Sequence, residues 1–246
     1  MSFSILSIFK NESTNLEEWI THYISQGVKM IYLIDNGSTD QYLPIINKYS
    51  DKIRLFIMPE RYQQVNHYNS VYIHIKEEKD VPDWLLVVDL DEFTYCPKFD
   101  TISEGIQTLP SGVNEVIIPE QPYGSSGFIT HPAGKIVESF VYRQPENLSF
   151  KSLFRVNGVN IGDLGIHETE KKWPKFDGKE IFRINHYLIQ SKEYFQNIVM
   201  PRGDACYFFY KKGLDYFEKH DKLSTMLDAE LSEKKCKFIK KKEQQE

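Results

Sequence analysis

Over its first ninety residues the chain repeats one pattern: a short apolar run, a polar loop, then a stretch with helical periodicity. Residues 4–9 form the first apolar run and predict a strand. Thr14 with Glu17 three residues later has the form of a capping box, and predicts a helix start there. Leu16, Trp19, Ile20, Tyr23 and Ile24 follow at helical spacing and make one apolar stripe, which Gly27 ends. Residues 28–34 predict a second strand, residues 43–46 a short helix or turn, and residues 53–58 a third strand. Tyr68, Val71, Tyr72 and Ile75 mark one face of the next helix. Residues 84–88 are apolar without interruption, as a strand buried on both faces requires.

Alternating strands and helices predict an α/β fold with a mainly parallel central sheet and right-handed crossovers. Ligands in such sheets sit beyond the carboxyl ends of the strands. The polar clusters of the sequence fall at those ends: Lys10-Asn11-Glu12, Asp35-Asn36-Gly37-Ser38, Arg61 and Asp89-Leu90-Asp91-Glu92. After Phe93 the pattern changes. Strand-like segments at 115–119, 135–142, 149–156 and 181–184 are joined by loops rich in Gly and Pro, and helical periodicity returns over 192–220. No linker-like stretch divides the halves, so residues 1–225 are expected to form one domain. Its nucleotide-binding half covers about 1–95 and an α+β acceptor half about 96–225. Residues 226–246 form a lysine-rich tail, read as a solvated helix end or a weak contact for anionic membrane.

Composition narrows the function classes. Hydrophobic residues make up 41% of the 246 positions, enough for a sizeable core. The net charge of −5 gives no basic field to gather nucleic acid, so a nucleic-acid partner is not expected. Cys96, Cys206 and Cys236 lie far apart and form no C-x-x-C pair, which argues against a zinc knuckle or a disulfide framework. A cytoplasmic protein, peripheral to a membrane at most, is the expectation. The apolar run near the N-terminus is too short for a transmembrane segment.

Asp89 and Asp91 stand two apart just past a buried strand, where two carboxylates repel each other unless a cation or a shared proton offsets them. A hard divalent ion, Mn²⁺ or Mg²⁺, binds such oxygens together with phosphate oxygens. His186, at the end of a strand-like run, is a candidate third ligand. His167, its neighbour Glu168 and Asp163 are candidates for a general base, and the sequence does not rank them. Gly124-Ser125-Ser126-Gly127 is either a plain turn or a loop contacting sugar or phosphate. Lys10, Arg61, Lys151 and Arg202 are possible partners of a diphosphate. Tyr123, Phe128, Tyr142, Trp173 and Phe176 suit either the core or stacking on sugar rings.

In order along the chain, these residues resemble glycosyltransferase family 92 and family 2 type sequences of the GT-A superfamily. The series runs Lys10-Asn11-Glu12, Glu18-Trp19, His22, Gly27, Asp35 to Asp40, Asp89-Leu90-Asp91-Glu92-Phe93, Gly124 to Gly127, His167, Asn185-His186-Tyr187 and Ser191-x-Glu193-x-Phe195. The resemblance implies a Rossmann-like GT-A fold and a metal-dependent, inverting transferase. Its donor would be a nucleotide sugar, UDP-linked by default, and its acceptor a hydroxyl of a glycan or glycoconjugate. It implies that Lys10, Asn11, Glu12, Asp35 and Asn36 line the nucleotide site, where Arg61 is also expected as a diphosphate partner. Asp91 would ligate the metal, with Asp89 on the metal or nucleotide and His186 completing the set. Gly124, Ser125, Ser126 and Gly127 would lie near the donor and acceptor sugars. Two other readings stay open. A haloacid-dehalogenase-like phosphatase would use Asp89 and Asp91, and a non-catalytic sugar- or nucleotide-binding module would keep only the loops.

Overall fold

The computed structural model describes residues 1–147, 149–207, 209 and 211–243, with side chains as far as residue 237. Strands β1 (Phe3–Phe9), β2 (Ile31–Asp35), β3 (Ile53–Ile57) and β4 (Trp84–Val87) pair in parallel in the order β3-β2-β1-β4. Helices α1 (Ser13–Ser25), α2 (Leu43–Lys48) and α3 (Gln64–Glu77) make the crossovers. β1, β2 and β4 are buried at every position because alternate residues feed two separate cores. Ile5, Leu33 and Leu86 join Leu16, Trp19 and Ile20 of α1 on one face. Leu6, Ile34, Leu85 and Val87 meet Tyr68, Val71, Tyr72 and Ile75 of α3 on the other. The chain leaves β1 towards β2 and β3, then returns to β4 on the opposite side of β1. The loops after β1 and β4 therefore flank the crevice where an open α/β sheet binds ligands.

The second half widens the same sheet. β5 (Glu92–Tyr95), α4 (Ile102–Gln107), β6 (Glu115–Pro122), α5 (Ile136–Ser139), β7 (Tyr142–Arg143), β8 (Ser149–Arg155), β9 (Phe176–Asp177) and β10 (Arg183–His186) follow in turn. The strand order is β3-β2-β1-β4-β8-β6-β10-β5, with β9 paired to β6. β8 runs antiparallel to both β4 and β6, and β5 antiparallel to β10; the remaining pairs in this sheet are parallel. The α/β class and mainly parallel sheet read from the sequence are present. β5 has no expected counterpart, being four residues that begin at Glu92, with only residues 88–91 between it and β4.

Beyond the sheet, α6 (Lys192–Tyr194) runs on through a π-helical turn (Phe195–Val199) into α7 (Met200–Arg202). α8 (Leu214–Leu223), β11 (Met226–Leu227) and α9 (Glu230–Glu243) complete the chain, and β11 pairs with β7. Four local expectations need correction. Thr14 does not cap α1; the carboxylate of Asp40 accepts the Ser13 amide at 2.7 Å, while Glu17 is drawn off to Lys48 and Tyr49. The strand expected over 135–142 is mostly the short helix α5, because the Glu18 carboxylate accepts the amides of Ile136 and Val137 at its N-terminus. The helix expected over 192–220 is broken: Gly203 adopts φ 72°, and helix resumes only after Gly213. The stretch from Glu233 is not wholly solvated, since Lys235 lies over the Phe93 ring at 5.3 Å and 3.7 Å from Glu18.

Two buried histidines give the fold an acid limit. Burial holds His22 well below its ordinary value, and burial pushes His220 down to about 4, beside the Gln144 amide. Both are neutral when folded, whereas the unfolded chain takes up their protons near pH 6.5. Their contribution is therefore complete above pH 6.5 and is lost as the pH falls towards 4. Melting temperature measured between pH 7 and 4 is expected to fall, and His220→Asn is expected to flatten that decline.

Candidate active site

Three features of α1 fix the acidic turn after β4. Its apolar stripe places Trp19 and Tyr23 beneath the turn, fully buried. Trp19 Nε1–H donates to the carbonyls of Asp89 and Glu92, at 3.1 and 3.0 Å, and Tyr23 O–H donates to the Glu92 carbonyl at 2.9 Å. The Asp89 amide closes the turn on Glu92 Oε2 at 2.9 Å. The backbone that carries the carboxylates is thus tied to a helix, not left as a free loop.

A lysine cation sits under these carboxylates. Lys151 projects from β8, is 1% exposed, and donates to Asp89 Oδ2 at 2.7 Å, with Glu92 Oε1 at 3.3 Å. Burial opposes its charge, but Asp89, Glu92 and Glu120 outweigh burial and hold the ammonium well above its ordinary value. Glu92 is pushed well up, chiefly by burial, with Glu120 and Asp89 adding to that and Lys151 opposing it. Lys151 is therefore not free to reach a diphosphate, which corrects that expectation.

Asp91 points elsewhere. Its Oδ1 lies 3.6 Å from His186 Nε2 at the end of β10, and the Tyr187 amide donates to the Asp91 carbonyl at 2.8 Å. On its other nitrogen, His186 Nδ1–H donates to Glu120 Oε2 of β6 at 2.9 Å. That bond turns Nε2 towards Asp91, the arrangement by which a carboxylate orients a metal-binding imidazole. Burial opposes the imidazolium, but Asp91 and Glu120 raise His186 well above its ordinary value. Burial likewise opposes the Asp91 carboxylate, yet His186, Lys212 and Lys151 together bring it below the usual range. Among the described residues, Asp91, Glu92 and His186 form a compact set of possible metal ligands. Asp89, expected among the ligands, has one oxygen held by Lys151.

These groups open into a cavity of about 150 Å³, also lined by Lys10, Glu12, Asn36, Arg61, Arg202 and Lys212. Arg202 pairs with the buried carboxylate of Glu12, to which Tyr194 O–H also donates, and lies 3.9 Å from Asp91 Oδ2. Burial lowers the Arg202 guanidinium to about 10 and also lowers Lys212, to which Arg202 adds. The cavity thus carries four basic side chains, Lys10, Arg61, Arg202 and Lys212, against Glu12, Asp89, Asp91 and Asp204, with His186 beside them.

The other expected residues fall into two groups. Asn11 and Asp35 shape the cavity wall and do not line it. Asn11 Oδ1 accepts the Thr39 amide, and Asp35 spends both oxygens on the Ser38 amide and Tyr42 O–H. Asn36, which does line it, donates to the carbonyls of Met58 and Glu60. Of the three base candidates, His167 lies 3.8 Å from Glu120 Oε1, so Glu120 stands between it and His186. Its Nδ1–H donates to the Phe150 carbonyl at 3.1 Å, which leaves Nε2 as an acceptor. Glu168 pairs with Lys175, and Asp163 pairs with Lys171 at 3.3 Å. The 124–127 loop is folded on α8: the Ser125 amide donates to Asp221, Ser125 Oγ accepts the Gly127 amide, and Ser126 Oγ accepts the amides of Val141 and Tyr142. Neither hydroxyl is part of the cavity lining. Tyr123 is fully buried, so it belongs to the core.

Sequence reasoning missed Glu120 and Lys212. Glu120 lies in the buried phase of β6, in register with Val116 and Ile118, and an acid in that phase is a signal that could have been read. Lys212 stands in an irregular stretch with no periodicity to single it out.

A family model described as glycosyltransferase family 92 matches residues 1–234. A curated glycosyltransferase family 92 protein of Oryza sativa subsp. japonica is 22% identical over 203 residues, which cover 80% of this chain and 35% of that protein. One of Ricinus communis is also 22% identical, over 204 residues, with 78% and 36% covered. The chain spans about a third of the length of these curated relatives. Among solved structures, S. aureus TarS 1–349 superposes with a TM-score of 0.41 at 16% identity, covering 63% of this chain and 47% of that one. Glucosyl-3-phosphoglycerate synthase from Mycobacterium tuberculosis, solved with Mn²⁺, uridine diphosphate and phosphoglyceric acid, gives 0.36 at 15% identity, covering 63% and 56%. Likeness at this level says nothing of what this chain binds.

Removing the buried cation should unseat the acidic turn. Lys151→Met strands Asp89 and Glu92 in the interior and is expected to cost about 3–5 kcal/mol of stability. Adding Glu92→Gln should recover part of that loss. Urea denaturation of the three proteins measures it, and a loss below about 1 kcal/mol for the single variant contradicts the assignment.

Proposed function

The chain belongs to glycosyltransferase family 92, and from that premise we propose that it moves a sugar from a nucleoside-diphosphate donor to a hydroxyl of a glycan or glycoconjugate. The observation that carries this reading is the pairing of Asp91 with an imidazole that Glu120 has already aimed at it, inside a cavity rich in basic side chains.

The donor set fits a divalent ion. Two neighbouring ligands of an octahedral ion at about 2.1 Å lie about 3.0 Å apart, so the 3.6 Å between Asp91 Oδ1 and His186 Nε2 needs little adjustment. Asp91 and His186 would hold Mn²⁺ or Mg²⁺ as protein ligands beside the diphosphate. When bound, such an ion supplies Lewis-acid stabilisation of the leaving diphosphate. Arg202, Lys212, Lys10 and Arg61 are placed to bind the same phosphates. Asn36, on the loop that Asn11 and Asp35 hold in shape, meets the nucleoside, for which uridine is the reading. Asp89 sets the turn through Lys151 and presents its partly exposed side to the donor.

For direct displacement with inversion, the acceptor oxygen bonds to the anomeric carbon as the bond from that carbon to the diphosphate oxygen breaks. The electron pair leaves with the diphosphate, and the acceptor proton goes to a base. His167 is the proposed base, because its Nδ1–H is anchored and Nε2 is free to accept, while Glu168 and Asp163 are each committed to a lysine. The phosphatase alternative fares poorly here: Asp89, which would be its nucleophile, is pinned by a buried ammonium.

Asp91→Asn and His186→Gln are each expected to reduce metal-dependent turnover of a UDP-sugar by a factor of at least about 100, on the scale of losing a group that stabilises the leaving charge. Each variant breaks a buried pair and should lower the melting temperature, so turnover is compared well below the melting temperature of each protein. Turnover of a panel of nucleotide sugars, with and without acceptor glycans, is the measurement. Full activity of Asp91→Asn in the presence of Mn²⁺ refutes the assignment.

A further inference from the structure

His167 stands in a turn, Gly165 to Glu168, that the Gly165 amide closes on the Glu168 carbonyl at 3.0 Å. Behind it the Glu170 amide donates to the Asp163 carbonyl at 2.8 Å, and Leu164 pairs with Thr169 across the base. A hairpin this short has little stability of its own, so what grips its two stems sets where the histidine stands. Asn69 of α3 holds the first stem. Its side-chain amide donates to the Leu164 carbonyl at 3.0 Å, and its Oδ1 accepts the amides of Gly162 and Leu164 at 2.9 and 3.2 Å.

Glu115 holds the second stem. It opens β6, is fully buried and lies opposite Phe154 of β8. Its Oε1 accepts the Thr169 amide at 2.9 Å, and its Oε2 accepts Thr169 O–H at 2.9 Å and Trp173 Nε1–H at 2.6 Å. All three donors belong to the stretch that leaves the His167 turn. Trp173 in turn lies close on the backbone of Gly158, where a Cβ would stand 2.9 Å from the indole. Burying a carboxylate is unfavourable unless donors replace its water, and an apolar residue is the ordinary filling beside a buried Phe. The Phe150 carbonyl fixes the rotation of the His167 ring, whereas Glu115 fixes the main chain that carries it.

We propose that Glu115 is a positioning residue for the transfer. By holding Thr169 and Trp173 it sets where His167 Nε2 meets the acceptor hydroxyl, and it affects the rate only through that histidine. The inference rests on His167 being the base, as proposed above. A base works only within hydrogen-bond reach of its proton, and displacement by about 1 Å can cost about 100-fold in rate.

A double-mutant cycle of Glu115→Gln and His167→Ala tests it, using the UDP-sugar and glycan that turn over in the panel above, well below the melting temperature of each protein. His167→Ala is expected to lower kcat by at least about 100-fold. Glu115→Gln should lower kcat by about tenfold and leave KM for the UDP-sugar unchanged. In the His167→Ala background Glu115→Gln should cost nothing further, whereas a merely structural role would cost the same in both backgrounds. Hydrogen exchange over residues 162–173 reads the clamp without substrate: it should quicken by about tenfold in Glu115→Gln while β1 to β4 keep their protection. Should Glu115→Gln fail to fold, Thr169→Val, which removes one of the three bonds, takes its place in both measurements. The proposal is overturned if kcat is unchanged, if its loss persists in the His167→Ala background, or if exchange over 162–173 does not rise. Wild-type turnover by His167→Ala is a distinct result, which overturns the base reading itself and the positioning role with it.

Discussion

One buried ammonium organises the end of the sheet where β4 stops. Lys151 enters from β8, the antiparallel strand wedged between β4 and β6, and meets Asp89 and Glu92 where β4 ends. Taking a lysine and two carboxylates out of water is unfavourable unless their contacts are close and their spare atoms are bonded. Here the Asp89 amide donates to Glu92 Oε2, and α1 satisfies the carbonyls of the turn, which holds the turn in place. Lys151 engages Asp89 and Glu92. That division leaves Asp91 to face His186.

The same constraint explains why distant parts of the chain must fold together before a site exists. Asp91 comes from the loop after β4, His186 from β10, and Glu120, which orients His186, from β6. β10 lies between β6 and β5, so the sheet register sets the approach of the imidazole to the carboxylate, with His186 opposite Glu92. Arg202 then closes the cavity by pairing with Glu12 from the loop after β1. Arg202 is thus held by a buried acid and does not wave in solvent.

Much of this was legible in the residues themselves. The apolar stripe of α1 is buried at Leu16, Trp19, Ile20 and Tyr23, and the uninterrupted run ending at Val88 is a strand covered on both faces, because each pattern admits only one way of hiding apolar surface. The positions of Asp91 and His186 at strand ends followed from the same pattern. What could not be read were the contacts made between elements far apart in sequence. Thr14 and Glu17 have the spacing of a capping box, yet Asp40 caps α1 from another loop and Glu17 bonds elsewhere. Lys151 reads as a possible diphosphate partner, but the placing of β8 against β4 turns it onto Asp89 and Glu92. The 124–127 loop reads as a plain turn or a sugar-contacting loop, and the amides of Gly127, Val141 and Tyr142 claim its two hydroxyls. In each case a local signal was overridden by a partner more than a dozen residues away, or by a fold-back that periodicity does not describe.

The division of labour between Lys151 and the divalent ion is the central claim, and pulsed electron paramagnetic resonance of the protein with Mn²⁺ and uridine diphosphate tests it most directly. The account predicts coupling of the metal to one imidazole nitrogen, lost in His186→Gln, with no metal bound in Asp91→Asn. Bound Mn²⁺ without nitrogen coupling, or coupling that survives His186→Gln, would contradict it.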